Sequence, residues 1–175
     1  MKKFMAVLLV VVLFLTQGCA HTDQLRLDEP PFGETAFSAE IRGARGENGF
    51  SAKIGIVPVE GGTCIRVEYT APEALAGIVV ETQCGEDGTL QGEAEVLRSG
   101  VSTRLDAECL QGLLAPVACL LRLADHTAVK RDGETYELQF ENGAVLRVDG
   151  RGDLISYDDA SLRYDVVWLE HRISS

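Results

Sequence analysis

The sequence has no apolar run long enough to cross a bilayer. Its one long run, Phe4 to Leu15, is twelve residues, against the roughly 20 that a spanning helix requires. Positive charge is also in short supply: 16 Lys and Arg face 27 Asp and Glu, a net charge of −11. Such a chain repels the phosphate backbone, which excludes nucleic-acid binding. Histidine is scarce and scattered, at His21, His126 and His171, and no two cysteines stand in C-x-x-C spacing. No metal site is expected from that pattern. G-x-S-x-G, H-E-x-x-H and a glycine-rich loop between strand and helix are all missing. The adjacent acidic pairs, Asp28 with Glu29 and Asp158 with Asp159, read as linker and turn residues. Asp125 and His126 adjoin the end of an apolar helical stretch, where a histidine suits the helix dipole. The sequence therefore points to a protein without catalytic residues or cofactor, and not to an enzyme.

What is present begins with targeting. Lys2 and Lys3 precede the twelve-residue run, and the small or polar Thr16, Gln17 and Gly18 follow it, which is the layout of a signal peptide. Leu15 to Cys19 resembles the lipobox of bacterial lipoproteins, with Thr16 where leucine is more usual. That resemblance implies cleavage before Cys19 and acylation of its thiol with palmitate-like chains. An ordinary secretory peptide ending near a cysteine is the alternative. A single acyl chain holds a protein only marginally at a membrane, whereas two or more hold it firmly. The expected organisation is a lipoprotein signal peptide over 1–18, a lipidated Cys19 with a tether over 19–35, and one domain over 36–175. Losing Lys2 and Lys3 leaves 14 basic residues against 27 acidic, a net −13. Ala20 is not the aspartate that retains such proteins in a Gram-negative inner membrane, so the expected location is extracytoplasmic, anchored to the cell membrane, or to the outer membrane in a Gram-negative cell.

From Ala36 onward the apolar residues recur with period two. Phe37, Ala39 and Ile41 alternate with Ser38, Glu40 and Arg42; Phe50, Ala52, Ile54 and Ile56 do the same against Ser51, Lys53 and Gly55. These are half-buried antiparallel strands, joined by Gly46 to Gly49 as a hairpin turn. The grammar repeats through Ile65 to Tyr69, Ile78 to Thr82, Leu90 to Val96 and Val101 to Leu105. It resumes in Tyr136 to Phe140, Ala144 to Val148 and Leu162 to Trp168. About ten strands in meander order argue for one large sheet or barrel rather than βαβ units.

One segment breaks the alternation. In 108–125, Leu110, Leu113, Leu114, Val117, Leu120, Leu121 and Ala124 fall at helical spacing, a broad apolar stripe that predicts a buried helix. Pro116 either kinks it or opens a second short helix. The fold class expected is mainly β with a buried helical segment (α+β), a curved sheet folded around that segment. Alternation puts Phe37, Phe50, Tyr69, Tyr136, Phe140, Tyr164 and Trp168 on the apolar side. One helix about 10–12 Å wide cannot cover ten strands. Either the sheet packs its own side chains, as small barrels do, or a hydrophobic ligand fills the space. In the second case Leu113, Leu114, Val117, Leu120 and Leu121 form the helix wall, and Phe50, Tyr69, Phe140 and Trp168 the sheet wall.

Cys64, Cys84, Cys109 and Cys119 allow three disulfide connectivities. A hairpin register setting Val67 opposite Val80 also sets Arg66 opposite Glu81, a favourable cross-strand pair. In that register Cys64 points to the polar face and Cys84 to the apolar one, so the two cannot bond directly. Cys109 and Cys119 on one straight helix are about 15 Å apart, and a bridge needs Cα atoms within about 7 Å. Buried thiols and a bond from Cys84 to a helix cysteine both remain open.

The run CIRVEYTAPEALAGIVVETQCGEDG, the helix GLLAPVACLLRL and the meander YELQFENGAVLRVDGRGDLISYDDASLRYDVVWLE together resemble lipoproteins of the LolA/LolB/LppX-like superfamily. The resemblance covers about Phe37 to Leu169. It implies an unclosed antiparallel β-barrel with a helix plugging the concave face, able to hold acyl chains or lipoproteins between sheet and plug. The helix that usually precedes the first strand in that superfamily has no counterpart in 25–34, where two prolines and a glycine stand, so a thinner plug is expected. By the same resemblance Leu75, near the tip of TAPEALAG, is a membrane-contact residue, the alternative being that it folds back over the barrel mouth. Two functions follow. One is a membrane-tethered, monomeric carrier of a lipid or of lipoprotein acyl chains. The other is a non-enzymatic envelope interaction or structural module with a closed core, its partner bound on the acidic convex face.

Overall fold

The computed structural model describes residues 36–85, 90–118, 120–121 and 125–172. Eleven strands form one antiparallel sheet: β1 (Ala36–Arg45), β2 (Asn48–Val59), β3 (Gly62–Ala71), β4 (Val79–Cys84), β5 (Leu90–Arg98), β6 (Val101–Asp106), β7 (His126–Asp132), β8 (Thr135–Phe140), β9 (Val145–Asp149), β10 (Leu154–Asp158) and β11 (Leu162–Arg172). Their spatial order is β6-β5-β4-β3-β2-β1-β11-β10-β9-β8-β7. The sheet is a meander joined at β1 and β11, and it stays open between its edges β6 and β7. It is an unclosed β-barrel, as expected, with eleven strands rather than about ten.

The two strands that alternation does not reveal each have a physical reason. Every described side chain of β7 but that of His126 is exposed. An edge strand that buries almost nothing has no reason to alternate. In β10 the pairing with β9 slips between Leu154 and Ser156. That bulge brings Leu154, Ser156 and Tyr157 all into buried positions, which erases period two.

The core lies on the inner face. One row crosses β1 to β4 through Ala39, Ile54, Val67 and Val80, each cross-strand partnered and each at most 1% exposed. Burying a side chain of the Val or Ile class fully contributes about 1.5–3 kcal/mol, so such rows hold the sheet to what packs on it. The predicted register of β3 and β4 is present: Val67 lies opposite Val80, and Arg66 opposite Glu81 with Nη1 to Oε2 at 3.2 Å. Cys84 is buried, while Cys64 stands on the outer side with its thiol 3.9 Å from Glu81 Oε1. Partial burial and the adjacent Glu81 carboxylate push the Cys64 thiol up. Cys109 is an exposed free thiol, and Cys19 and Cys119 lie outside the described residues.

Between β6 and β7 the chain must travel from one edge of the sheet to the other. It crosses the concave side. A 3₁₀ turn, Ala107–Leu110, leads into helix α1, Gln111–Ala118, which packs on β2, β3 and β11. The helix is shorter than the predicted 108–125. Pro116 lies inside it and leaves the Gly112 carbonyl without an intrahelical donor, and His126 opens β7 instead of ending the helix.

The β10–β11 turn is organised by Asp159. Its Oδ1 accepts from the Ser161 N–H at 2.6 Å and the Leu162 N–H at 2.7 Å, and its Oδ2 from the Tyr157 hydroxyl at 2.8 Å. Partial burial raises its pKa, but these hydrogen bonds together outweigh that and hold the carboxyl below its usual value. Asp159→Ala is expected to cost about 1–2 kcal/mol, through donors left without an acceptor, in urea unfolding at pH 7. A carboxyl depressed in the folded state stabilises above its unfolded value of about 4, and the contribution is lost as pH falls through the folded value. The stability gap between wild type and Asp159→Ala should therefore shrink in acid; a gap that widened below about pH 4 would contradict this.

Candidate functional site

The candidate site is the concave face around α1. Three side chains from the sheet fasten the helix, each donating to one of its carbonyls. Arg45 Nη1 reaches Gly112 O at 2.8 Å, Tyr69 Oη reaches Leu113 O at 2.9 Å, and Tyr164 Oη reaches Pro116 O at 2.8 Å. The pattern follows from the proline. An α-helical Gly112 carbonyl bonds the N–H four residues on, and Pro116 has none; the Arg45 guanidinium supplies the missing donor. The Pro116 carbonyl is among the last four of the helix, which have no intrahelical partner, and Tyr164 takes it in a buried position. A Cβ on Gly112 would stand 2.6 Å from Arg45 Nη1, so the glycine keeps that approach open. Burial pushes the Tyr69 phenol up to about 12, against the opposing pull of Arg45. It remains a protonated donor throughout the neutral range.

The expected cavity wall is split by this packing. Leu114, Val117 and Leu120 are seated in the core with Phe50 and Tyr69, while Leu113, Leu121 and Phe140 are partly buried at its margin. Phe50, Tyr69 and Leu113 share a cavity of about 160 Å³ with Pro72, Leu75 and Leu162. Phe140 lies apart from them, in a second hollow of about 490 Å³ with Ala144 and Tyr157 at its base and Asp125, Thr127 and Glu141 among its polar lining. Among the described residues, Phe140 thus lines a different hollow from Phe50, Tyr69 and Leu113.

Two residues are placed differently from the sequence expectation. Trp168 is not on the concave side. The β1–β11 register shifts so that Glu40 pairs with Trp168 and Ile41 with Val166, leaving Val167 as the extra residue of a bulge. A one-residue slip exchanges faces, so Trp168 joins Glu40 on the outer surface, 51% exposed. Leu75 does not form an outward tip. It is half-buried against the core and helps line the smaller cavity, so TAPEALAG folds back over the mouth.

Sequence reading missed Arg45 and Tyr164 as anchors. Pro116 carried a usable signal for the first, because a proline inside a buried helix demands an outside donor for the carbonyl four residues before it. Also missed are apolar side chains on the inner side of the edge strands. Leu105 pairs with the buried Ala94 and Val129 with the buried Leu138, so both belong to the concave face. They are nonetheless 43% and 42% exposed, because α1 does not reach them.

An open antiparallel sheet with an internal helix fastened to its concave face defines the class: a helix-plugged β half-barrel. No protein-family model matches the sequence, and no curated protein does. Solved structures are similar to it. An uncharacterized conserved protein from Thermus thermophilus is 12% identical, with a TM-score of 0.50 over 87% of this chain and 86% of that one. A LolA superfamily protein from Nitrosomonas europaea is 13% identical, with a TM-score of 0.44 over 89% and 96%. A putative outer membrane lipoprotein-sorting protein domain from Vibrio parahaemolyticus is 8% identical, with a TM-score of 0.43 over 81% and 87%. At 12% identity the likeness to the Thermus thermophilus protein is one of fold alone.

Proposed function

We propose that this protein is an extracytoplasmic lipoprotein, tethered through Cys19, that holds a lipid or the acyl chains of a lipoprotein against its concave face. The observation that carries the ligand reading is the uncovered apolar surface at both rims. Helix α1 has eight residues, about 12 Å of length, while eleven strands at about 4.8 Å spacing extend some four times as far. Leu105, Val101 and Val129 remain exposed on the inner side, where an alkyl chain would shield them. The hollow at Phe140 lies within the size range of ordinary ligand pockets. The smaller cavity under Leu75 is below that range, so it serves as a socket for one end of a chain or opens when the loop lifts.

Organic extraction of the purified full-length protein followed by lipid mass spectrometry tests the reading. A carrier releases noncovalent acyl species at about one per protein, and Leu105→Glu with Val129→Glu lowers that yield severalfold at unchanged melting temperature. Absence of acyl species from wild type overturns it. The tight seating of Leu114, Val117 and Leu120, each at most 2% exposed, favours the second reading in that event: an interaction module whose core is dry.

A further inference from the structure

The outer face carries a groove that the concave-face reading leaves unused. It has a volume of about 610 Å³ and crosses β11, β1, β2, β3 and β4. The bulge at Val167 turns Trp168 into it, and Val57, 45% exposed, stands on the same side. The half-exposed indole and valine line one groove on the surface of a sheet whose core lies on the other face, and grouped apolar exposure of this kind suits a contact with another molecule.

The floor is as telling as the walls. Ser38 pairs with Gly55, and Gly55 with Arg66. A Cβ built on Gly55 would meet only Phe37 O at 3.8 Å and Arg66 Cβ at 3.9 Å, ordinary contacts, and Gly55 is not among the glycines of positive φ. Neither packing nor backbone conformation requires glycine there, although glycine inside a strand is destabilising. What the missing side chain leaves is a hollow, and close approach by another molecule is one of the settings in which a strand glycine occurs.

The charge of the groove selects the visitor. Four carboxylates line it, Glu40, Glu68, Glu81 and Glu170, against Lys53 and Arg66. Lys53 engages Glu40 at 3.8 Å, and Arg66 engages Glu68 at 3.6 Å and Glu81 at 3.2 Å. Among the described residues no ion pair or hydrogen bond involves the carboxylate of Glu170, which stands two residues beyond Trp168 on the same face of β11, about 7 Å away. A cation placed between them meets an indole face and a carboxylate together. Both β1 and β2 are already paired on each side, so recognition runs through side chains rather than by strand addition.

We propose that this groove docks a basic, partly apolar extended peptide segment of a partner protein. A Lys or Arg of the segment sits between Trp168 and Glu170, and an apolar neighbour rests on Val57 over the Gly55 hollow. Four strand spacings from β11 to β4 amount to about 19 Å, or about six extended residues.

The molecule contains its own reporter, since Trp168 is the only tryptophan. The full chain in non-ionic detergent is titrated with a six-residue peptide of alternating lysine and valine, with the glutamate counterpart, and with zwitterionic phosphatidylethanolamine in mixed micelles of the same detergent. A saturable change in tryptophan emission is expected with the lysine peptide alone. Glu170→Lys should weaken it at least tenfold. Gly55→Val, which keeps the indole, should abolish it with melting temperature unchanged or raised; should that variant not fold, Glu170→Lys decides. Equal responses to the two peptides, an affinity unaffected by Glu170→Lys, or a response to the phospholipid micelles alone overturns the proposal. None of these readouts depends on whether lipid occupies the concave face.

Discussion

Replacing Gly43 by alanine is expected to lower stability by about 3 kcal/mol, the upper end of overpacking costs, and the melting temperature by about 10 °C. Gly43 lies in β1 opposite Tyr164 of β11 and Phe50 of β2. A Cβ there would fall 2.0 Å from the Arg163 carbonyl oxygen and 2.6 Å from Tyr164 Cβ. The first of these is backbone, so no rotamer change relieves it. Strand β11 must retreat, and with it Tyr164, whose hydroxyl fastens the Pro116 carbonyl and whose ring stacks on Tyr157 at 5.7 Å. The damage falls on the seam that joins β1–β6 to β7–β11. Gly55→Ala is the control, in a strand interior with ordinary contacts only, and should be neutral or slightly stabilising. Urea unfolding of both variants checks the contrast. A Gly43→Ala protein within about 0.5 kcal/mol of wild type, the range of an unremarkable surface change, would show that the close approach is not a constraint.

Cys19→Ala is expected to abolish incorporation of labelled palmitate and to move the protein from the membrane pellet to the soluble fraction. The expectation follows from the acyl arithmetic: each buried methylene contributes about 0.8 kcal/mol, and two or more chains make dissociation negligible. The described part of the chain offers no helix long and apolar enough to cross a membrane. The excess of acidic residues that remains after cleavage gives no attraction to anionic lipid. In the proposed tether, attachment therefore rests on the thiol alone. Equal labelling of wild type and Cys19→Ala would remove the lipoprotein reading and leave the fold untouched.

Much of the architecture was legible because two periods compete along the chain. Strands such as Phe50–Ile56 alternate cleanly, one face being buried, and the Leu-rich stretch departs from that period because it packs inside the curve. The β3–β4 register could be read from charge, since Arg66 and Glu81 meet only when Val67 meets Val80. The failures have a common physical cause. A bulge adds one residue and exchanges faces, which hid β10 and sent Trp168 to the outer surface. Strand β7, an edge with little to bury, carries almost no pattern. Only Gln111–Ala118 of the apolar stripe over 108–125 is α-helix, and a 3₁₀ turn takes its start, because helical spacing of apolar residues does not tell an α-turn from a 3₁₀ turn. The anchors Arg45 and Tyr164 act over separations of 67 and 48 residues, and no local pattern announces such contacts.

The position of β1 has a bearing on biogenesis. It sits at the middle of the sheet, between β2 and β11, so the earliest described strand acquires its second neighbour from the latest. A chain emerging from a translocation pore amino end first would hold that flank bare until almost all of it had been delivered. Long-range closure of this kind is slow, and a bare flank invites pairing with other chains. The interval before β11 arrives is when the nascent protein most needs a chaperone, and mutations that delay the last strand should show themselves as aggregation rather than as a less stable finished product.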